Sequence, residues 1–158
     1  MTIEDDIAFF ERVPILHLLG RGALRILAIG AESRYVHGGE VLFSAGDQAE
    51  GGYVVQEGAF SLTSQRSDED VTVGPGTLLG ELALFAESER VATATATEPS
   101  TVLRIPRSLF LKTLESFPEA ARKLRDILAS RADMSLREIQ RVREALEQHD
   151  ARGRREPD

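Results

Sequence analysis

Arg90 is the only Lys or Arg between Arg66 and Arg104. It stands among apolar and small residues, nine positions after Glu81 in the pair Gly80-Glu81. A guanidinium presents N–H donors in a planar fork that matches a phosphate or carboxylate bidentately. The surrounding stretch, Gly74 to Thr97, reads GPGTLLGELALFAESERVATATAT. After the turn Gly74-Pro75-Gly76 it predicts one helical turn over Leu82 to Phe85. The first N–H groups of such a turn lack intrahelical partners and favour an anion. Gly80 lets a ligand approach the backbone closely, and Glu81, acceptor-only when ionised, suits a ligand hydroxyl. An anion with a hydroxyl, beside an apolar wall, describes a sugar phosphate carrying a base. The competing reading ties Arg90 to Glu81, Glu87 or Glu89 and makes Glu81 a helix cap. Exposed ion pairs contribute only about 0–1 kcal/mol, and a pair alone does not account for the Gly-Glu turn.

Such a site needs a rigid frame. Ile3 to Arg12 reads as a short amphipathic helix with Ile7, Phe10 and Val13 near one face, interrupted by Pro14. Arg21 to Ile29 repeats the helical period through Leu24, Leu27 and Ala28, and Gly30 is a stop. From Ser33 the pattern changes to short strands and turns. Tyr35-Val36, Glu40 to Phe43, Tyr53 to Val55, Ala59 to Thr63, Val71 to Val73 and Thr101 to Ile105 are strands. Ser64 to Asp70 is a polar hairpin turn, and Val91 to Thr97 a strand with one small face that leaves room beside a pocket. Six or more short strands closed by regular turns indicate a β-sandwich or a jelly-roll barrel within an α+β chain.

Helical period returns at Arg107. Ser108 to Ser116 is a short helix with Leu109, Leu111 and Leu114 apolar. Pro118 then opens a long helix running to about His149 without another Pro or Gly. Its roughly 32 residues would span about 48 Å. Ala121, Leu124, Leu128, Ala132, Leu136, Ile139, Val142 and Leu146 form one stripe, which suits a dimer seam or packing within the chain. Residues 1–149 read as one domain, and 150–158 as a polar, disordered tail.

Composition narrows the chemistry. The 158 residues are 42% hydrophobic and 28% charged, as in a globular domain. No apolar run approaches the ~20 residues of a membrane span, and the acidic start MTIEDDIAFFERV does not resemble a secretory leader. The absence of cysteine excludes disulfides, thiolate zinc sites and cysteine nucleophiles, and suits a cytoplasmic protein. His17, His37 and His149 are scattered, so no metal is expected. No G-x-S-x-G elbow occurs, and the chain does not read as an enzyme. Residues 122–155 hold ten Lys/Arg against six Asp/Glu within a chain of net charge −7. That is a mixed helix surface rather than a nucleic-acid footprint, and no direct DNA binding is expected.

The segment GELALFAESERVATA resembles the phosphate-binding cassette of the cyclic nucleotide-binding domain family, roughly F-G-E-[LI]-[AS], several residues, then P-R-[SA]-A. GGEVLFSAGDQAEGGYVVQEG is similar to the family's P-G-E-x-[IVL]-F-x-x-G-D followed by Y-[IV]-[IV]-x-x-G. The resemblance runs from about Phe10 to about Leu146. It implies a jelly-roll barrel (double-stranded β-helix) with N-terminal helices, a short cassette helix and a long C-terminal helix serving as lid. It implies that Arg90 pairs with a cyclic phosphate and Glu81 accepts the ribose 2′-hydroxyl. Gly80, the backbone amides near Leu82-Ala83 and Val91-Ala92, and the walls Leu78 and Leu79 would complete the site. The ligand would be cAMP, with cGMP second, because Val91 stands where guanine-preferring members often have Thr or Ser. Two further departures are Glu89 in place of a proline and Leu79 in place of an aromatic residue. The family's activator proteins contact adenine through a Thr-Ser pair on the lid helix, matched here by Ser135 and Leu136. Ser135 either contacts the base or is a helix-surface residue, and Leu136 cannot hydrogen-bond.

Nine residues follow His149, too few for a helix-turn-helix, so the sequence reads as a stand-alone sensor acting on an unidentified effector protein. The alternative is a barrel of the same family that has lost nucleotide binding and serves as a dimerising scaffold. From the apolar stripe, Ile139→Asp is expected to convert a homodimer to monomer in light scattering. A monomeric unmutated chain would remove the seam.

Overall fold

In the computed structural model, which describes residues 2–64, 67–127 and 129–130, the first helix begins on a capping box. Asp5 N–H donates to the Thr2 hydroxyl at 3.1 Å, and Thr2 N–H donates to the Asp5 carboxylate at 3.1 Å. These bonds satisfy donors that the helix itself cannot. Helix α1 (Ile3–Phe10) buries Ile7 and Phe10. After a 3-10 turn at Leu16–Leu18, α2 (Arg21–Gly30) buries Ala23, Leu24, Leu27 and Ala28. The apolar periodicity of both segments thus becomes their buried face. Arg21 bridges Glu4 and Glu11 at 2.9 Å each across the two helices.

Among the described residues ten strands follow: β1 (Glu32–Val36), β2 (Val41–Phe43), β3 (Gln48–Ala49), β4 (Gly51–Glu57), β5 (Phe60–Ser64), β6 (Ser67–Val73), β7 (Leu78–Leu79), β8 (Ser88–Glu89), β9 (Thr93–Ala96) and β10 (Ser100–Pro106). One antiparallel sheet has the order β1-β10-β4-β7 and a second β2-β9-β5-β6, with β3 and β8 paired apart. This is the jelly-roll arrangement. Val36, Tyr53, Val55, Leu79 and Val102 from the first sheet meet Leu42, Phe60, Ala94 and Ala96 from the second in one core cluster.

Three local expectations change. The polar Ser67–Asp70, read as turn, belong to β6, with Ser64 paired to Ser67. β6 is the edge strand of its sheet, where exposed charges such as Glu69 and Asp70 discourage further pairing. The strand expected from Val91 begins only at Thr93. Of its small face, Ala94 and Ala96 belong to the core cluster. Ala94 lies opposite Leu62 and Ala96 opposite Phe60, so small residues are paired with large ones across the two strands.

Helix α3 (Arg107–Ser116) starts directly from β10, and Phe110 and Thr113 are its buried residues. Leu111, expected on the apolar face, is 38% exposed. Phe110 instead meets Phe85 edge to face at 5.2 Å. The chain forms two compact units, the first from Met1 to Ala121 and the second from Arg122 onward. In the first, 118–121 are helical from Pro118, as the proline suggested. In the second, 122–127 and 129–130 are helical. Leu128 and every seam position from Ala132 lie outside the described residues, as do the lid pair and the tail. No helix among the described residues is long and apolar enough to cross a membrane.

Phe60 is wholly buried between the sheets. Phe60→Ala is expected to destabilise the fold by about 3–5 kcal/mol, measured by urea denaturation.

Candidate functional site

Arg90 is buried, only 8% exposed, and held by its backbone before its side chain does anything. The segment Phe43-Ser44-Ala45-Gly46-Asp47 folds into a turn in which Ser44 N–H donates to the Asp47 carboxylate at 2.9 Å. Gly46 adopts φ +93°, a left-handed conformation that favours glycine. This turn clamps Arg90 from both sides. Gly46 N–H donates to the Arg90 carbonyl and Arg90 N–H donates to the Asp47 carbonyl, each at 2.8 Å. Thr93 anchors the turn by accepting from Ala45 N–H at 2.9 Å.

The side chain then runs inward. Its guanidinium carbon lies 4.3 Å from the centre of the Phe43 ring and 5.5 Å from that of Tyr53. Those rings stack on each other at 5.9 Å. Nη2 donates to the Gly51 carbonyl at 2.8 Å. Nη1 is buried and has no hydrogen-bond partner. Burial pushes the guanidinium pKa below its ordinary value, while nearby Tyr53 and Asp47 hold it up and Arg104 lowers it. Cation–π contact returns about 0.5–2 kcal/mol. An unmade bond on a buried charged donor costs about 1–3 kcal/mol or more. Arg90 is therefore a desolvated cation with one donor unsatisfied, which is the electrostatic requirement for attracting an anion.

The side-chain hydrogen bond of Arg90 goes to a backbone carbonyl, that of Gly51. Gly80 lies against it. With φ +80°, Gly80 caps a 3-10 turn at Glu81–Leu84, one residue earlier and tighter than the helical turn expected over Leu82 to Phe85. A Cβ at Gly80 would collide with Arg90 Nη1. Ala83 N–H, expected to face an anion, donates to the Gly80 carbonyl at 3.0 Å. A four-residue turn has little of the dipole of a full helix, so the charge at this site rests on Arg90. Glu81 is half-buried and engaged within the protein.

Arg107, at the start of α3, fixes this turn from outside. Its Nη1 donates to the carbonyls of Ala49 at 3.0 Å, Ala83 at 3.1 Å and Ala86 at 3.3 Å. These bonds and the Phe85–Phe110 contact attach the turn to a helix. Sequence reasoning missed Phe43, Tyr53, Gly51 and Arg107. The first two stand in the motif pattern, but stacking between strands has no signature in sequence. Arg107 reads as an ordinary helix-start residue.

A cavity of about 650 Å³ lies beside Arg90, lined also by Ala45, Gly46, Ser64, Glu89, Val91 and Ala92. Of the nominated residues, Arg90, Val91 and Ala92 share this lining. Gly80 touches the guanidinium rather than the cavity wall. Leu79 belongs to the core and Leu78 is partly buried, paired with Tyr53 and Val54 respectively. They wall the barrel rather than line the cavity. Ala83 is buried, while Leu82 and Val91 are exposed by 71% and 84%. Ser135 lies outside the described residues. Among the described residues no cluster of side chains could hold a metal ion.

A family model for the cyclic nucleotide-binding domain matches residues 33–117. The chain is 30% identical over 130 residues to the cyclic AMP receptor protein of Thermus thermophilus, covering 78% of this chain and 60% of that one. It is 33% identical over 100 residues to the lysophospholipase NTE1 of Chaetomium globosum, covering 61% of this chain and 7% of the enzyme. The chain thus spans a small part of the lysophospholipases it matches. Among solved structures, a cyclic nucleotide-binding-like protein of Brucella abortus is 37% identical, with TM-score 0.62, over 70% of this chain and 98% of that one. The N-terminal domain of a Streptomyces coelicolor transcriptional regulator is 29% identical, with TM-score 0.72, over 83% of this chain and 94% of that one.

The contact between Gly80 and Arg90 can be measured. Gly80→Ala is expected to cost about 1–2 kcal/mol for the left-handed backbone alone, plus a steric term against the guanidinium. In an Arg90→Ala background the steric term should vanish, leaving a coupling of about 0.5–3 kcal/mol in urea denaturation.

Proposed function

Because the chain belongs to the cyclic nucleotide-binding domain family, we propose that it is a regulatory module whose ligand, probed first as cAMP, is held at Arg90. The observation that carries this reading is the unsatisfied Nη1 of a buried arginine beside a cavity of about 650 Å³. That volume lies within the range of small-molecule sites. A cyclic phosphate supplies the acceptor that Nη1 lacks. Glu81 receives the ribose 2′-hydroxyl, and the amides of Leu82, Val91 and Ala92 line the phosphate. The base lies over the exposed Val91 and Leu82, under a lid provided by the C-terminal helix, with Ser135 as its contact. Valine at position 91 offers guanine no hydroxyl, which favours cAMP over cGMP. The role is binding rather than catalysis. A homodimer through the C-terminal helix and a separate effector protein complete the reading.

In this mechanism the ligand acts by population shift. It favours whichever arrangement of lid and cassette binds it more tightly, and only by that difference in affinity. The attachment of the cassette turn to α3 through Arg107 and Phe85 is the route by which a local change reaches a helix.

Titration calorimetry with cAMP and cGMP tests the proposal. Binding of cAMP is expected, tighter than cGMP. Arg90→Ala should weaken it by about 1.5–3 kcal/mol, the loss of a charge-assisted hydrogen bond, or about 10- to 150-fold. An affinity unchanged by Arg90→Ala would place the phosphate elsewhere. No heat with either nucleotide would leave the dimerising-scaffold reading in its place.

A further inference from the structure

Two charged side chains line the cavity among the described residues: the buried cation Arg90 and the exposed carboxylate Glu89. Glu89 sits in β8, paired with Gln48 of β3, one residue before the clamped Arg90 backbone. Asp47 adds a second carboxylate close enough to attract the guanidinium. A ligand phosphate bearing one negative charge satisfies Arg90 and is repelled modestly by Glu89. A phosphate bearing two charges is repelled by Glu89 twice as strongly.

We infer that Glu89 is a specificity-determining residue, a charge filter favouring a phosphodiester monoanion over a phosphomonoester dianion. The inference rests on the reading of this cavity as a cyclic-nucleotide site. It also gives the site a relation to a class of reaction. When a 3′,5′-cyclic phosphate is hydrolysed, the oxygen of water joins phosphorus. The bond from phosphorus to the ribose 3′-oxygen breaks, and that oxygen leaves as a hydroxyl. The product is a 5′-monoester whose second proton dissociates near pH 6, so at neutral pH it is largely a dianion. The filter lets the site distinguish a cyclic ligand from the product of the phosphodiester hydrolysis that consumes it.

Because Glu89 is exposed, the effect is modest. Exposed charge pairs change equilibria by about one-and-a-half- to fivefold. The test is calorimetric titration with cAMP and with 5′-AMP at low ionic strength and neutral pH, using the unmutated protein, Glu89→Gln and Glu89→Lys. Glu89→Gln is expected to tighten cAMP about twofold and 5′-AMP about fourfold, because the interaction scales with ligand charge. The ratio of the two Kd values therefore falls about twofold with Gln and about fourfold with Lys. Both shifts should shrink as salt shortens the screening length to about 10 Å near 0.1 M. A purely structural role for Glu89 would change neither the ratio nor its salt dependence. An unchanged ratio with cAMP still bound overturns the filter alone. A loss of cAMP affinity in Glu89→Gln also overturns it, since the carboxylate would then be a ligand acceptor. If the unmutated protein binds neither nucleotide, the site reading fails and the filter fails with it. Should Glu89→Lys not fold, the isosteric Gln variant decides the question alone.

Discussion

A buried guanidinium with one nitrogen lacking a hydrogen-bond partner lies at this site, and much of the local structure is arranged to hold it there. Burying a guanidinium is costly unless its donors are met. The protein meets that cost in part, with the Phe43 and Tyr53 ring faces and the Gly51 carbonyl. It leaves Nη1 unmet. The backbone on either side of the arginine is less free than the side chain. Two hydrogen bonds to the Gly46-Asp47 turn fix where the guanidinium starts, and the left-handed Gly80 keeps a Cβ out of the space it occupies. The result is a preorganised charge, the condition under which electrostatic recognition gains most.

The same constraint explains how distant parts of the chain meet. Gly46 and Asp47 follow β2, Gly51 begins β4, and Arg90 follows β8. The jelly-roll connections bring these into one place by joining strands far apart in sequence. Arg107 extends the arrangement to α3 by donating to carbonyls on both the Ala49 and Ala83–Ala86 sides. The cassette turn is too short to be stable by itself. Its position depends on these carbonyl bonds and on the ring of Phe85 against Phe110. A ligand that moved this turn would do so against a defined set of contacts, not against a free loop.

Much of the frame was legible in the order of residues. The apolar periods of α1 and α2, the change to alternation at Ser33 and the return of helical period at Arg107 reflect local geometry, which a linear pattern can carry. Arg90 and Gly80 stood out because an isolated cation and a glycine before a turn are local facts too. Other features were misplaced for identifiable reasons. Ser67–Asp70 looked like a turn because an edge strand and a turn share polar composition. The small face looked like space for a ligand throughout; it is split between cavity and core, Ala92 lining the one and Ala94 and Ala96 the other, and nothing in the sequence showed Phe60 opposite Ala96. Leu79 looked like a ligand wall because an apolar residue beside a motif gives no indication of which side of the sheet it faces.

The sequence by itself determined the resemblance to a family, the all-strand middle of the chain and the candidacy of Arg90, since motifs, alternation and an isolated cation are all facts of residue order. Only the tertiary structure decided the state of that arginine: buried, stacked on Phe43, bonded to Gly51 and short of one acceptor. It also decided that Glu89, a neighbour in sequence, lines the same cavity. The physical reason is that desolvation and charge balance depend on distances across strands. Those distances are set by packing, and a linear pattern does not contain them.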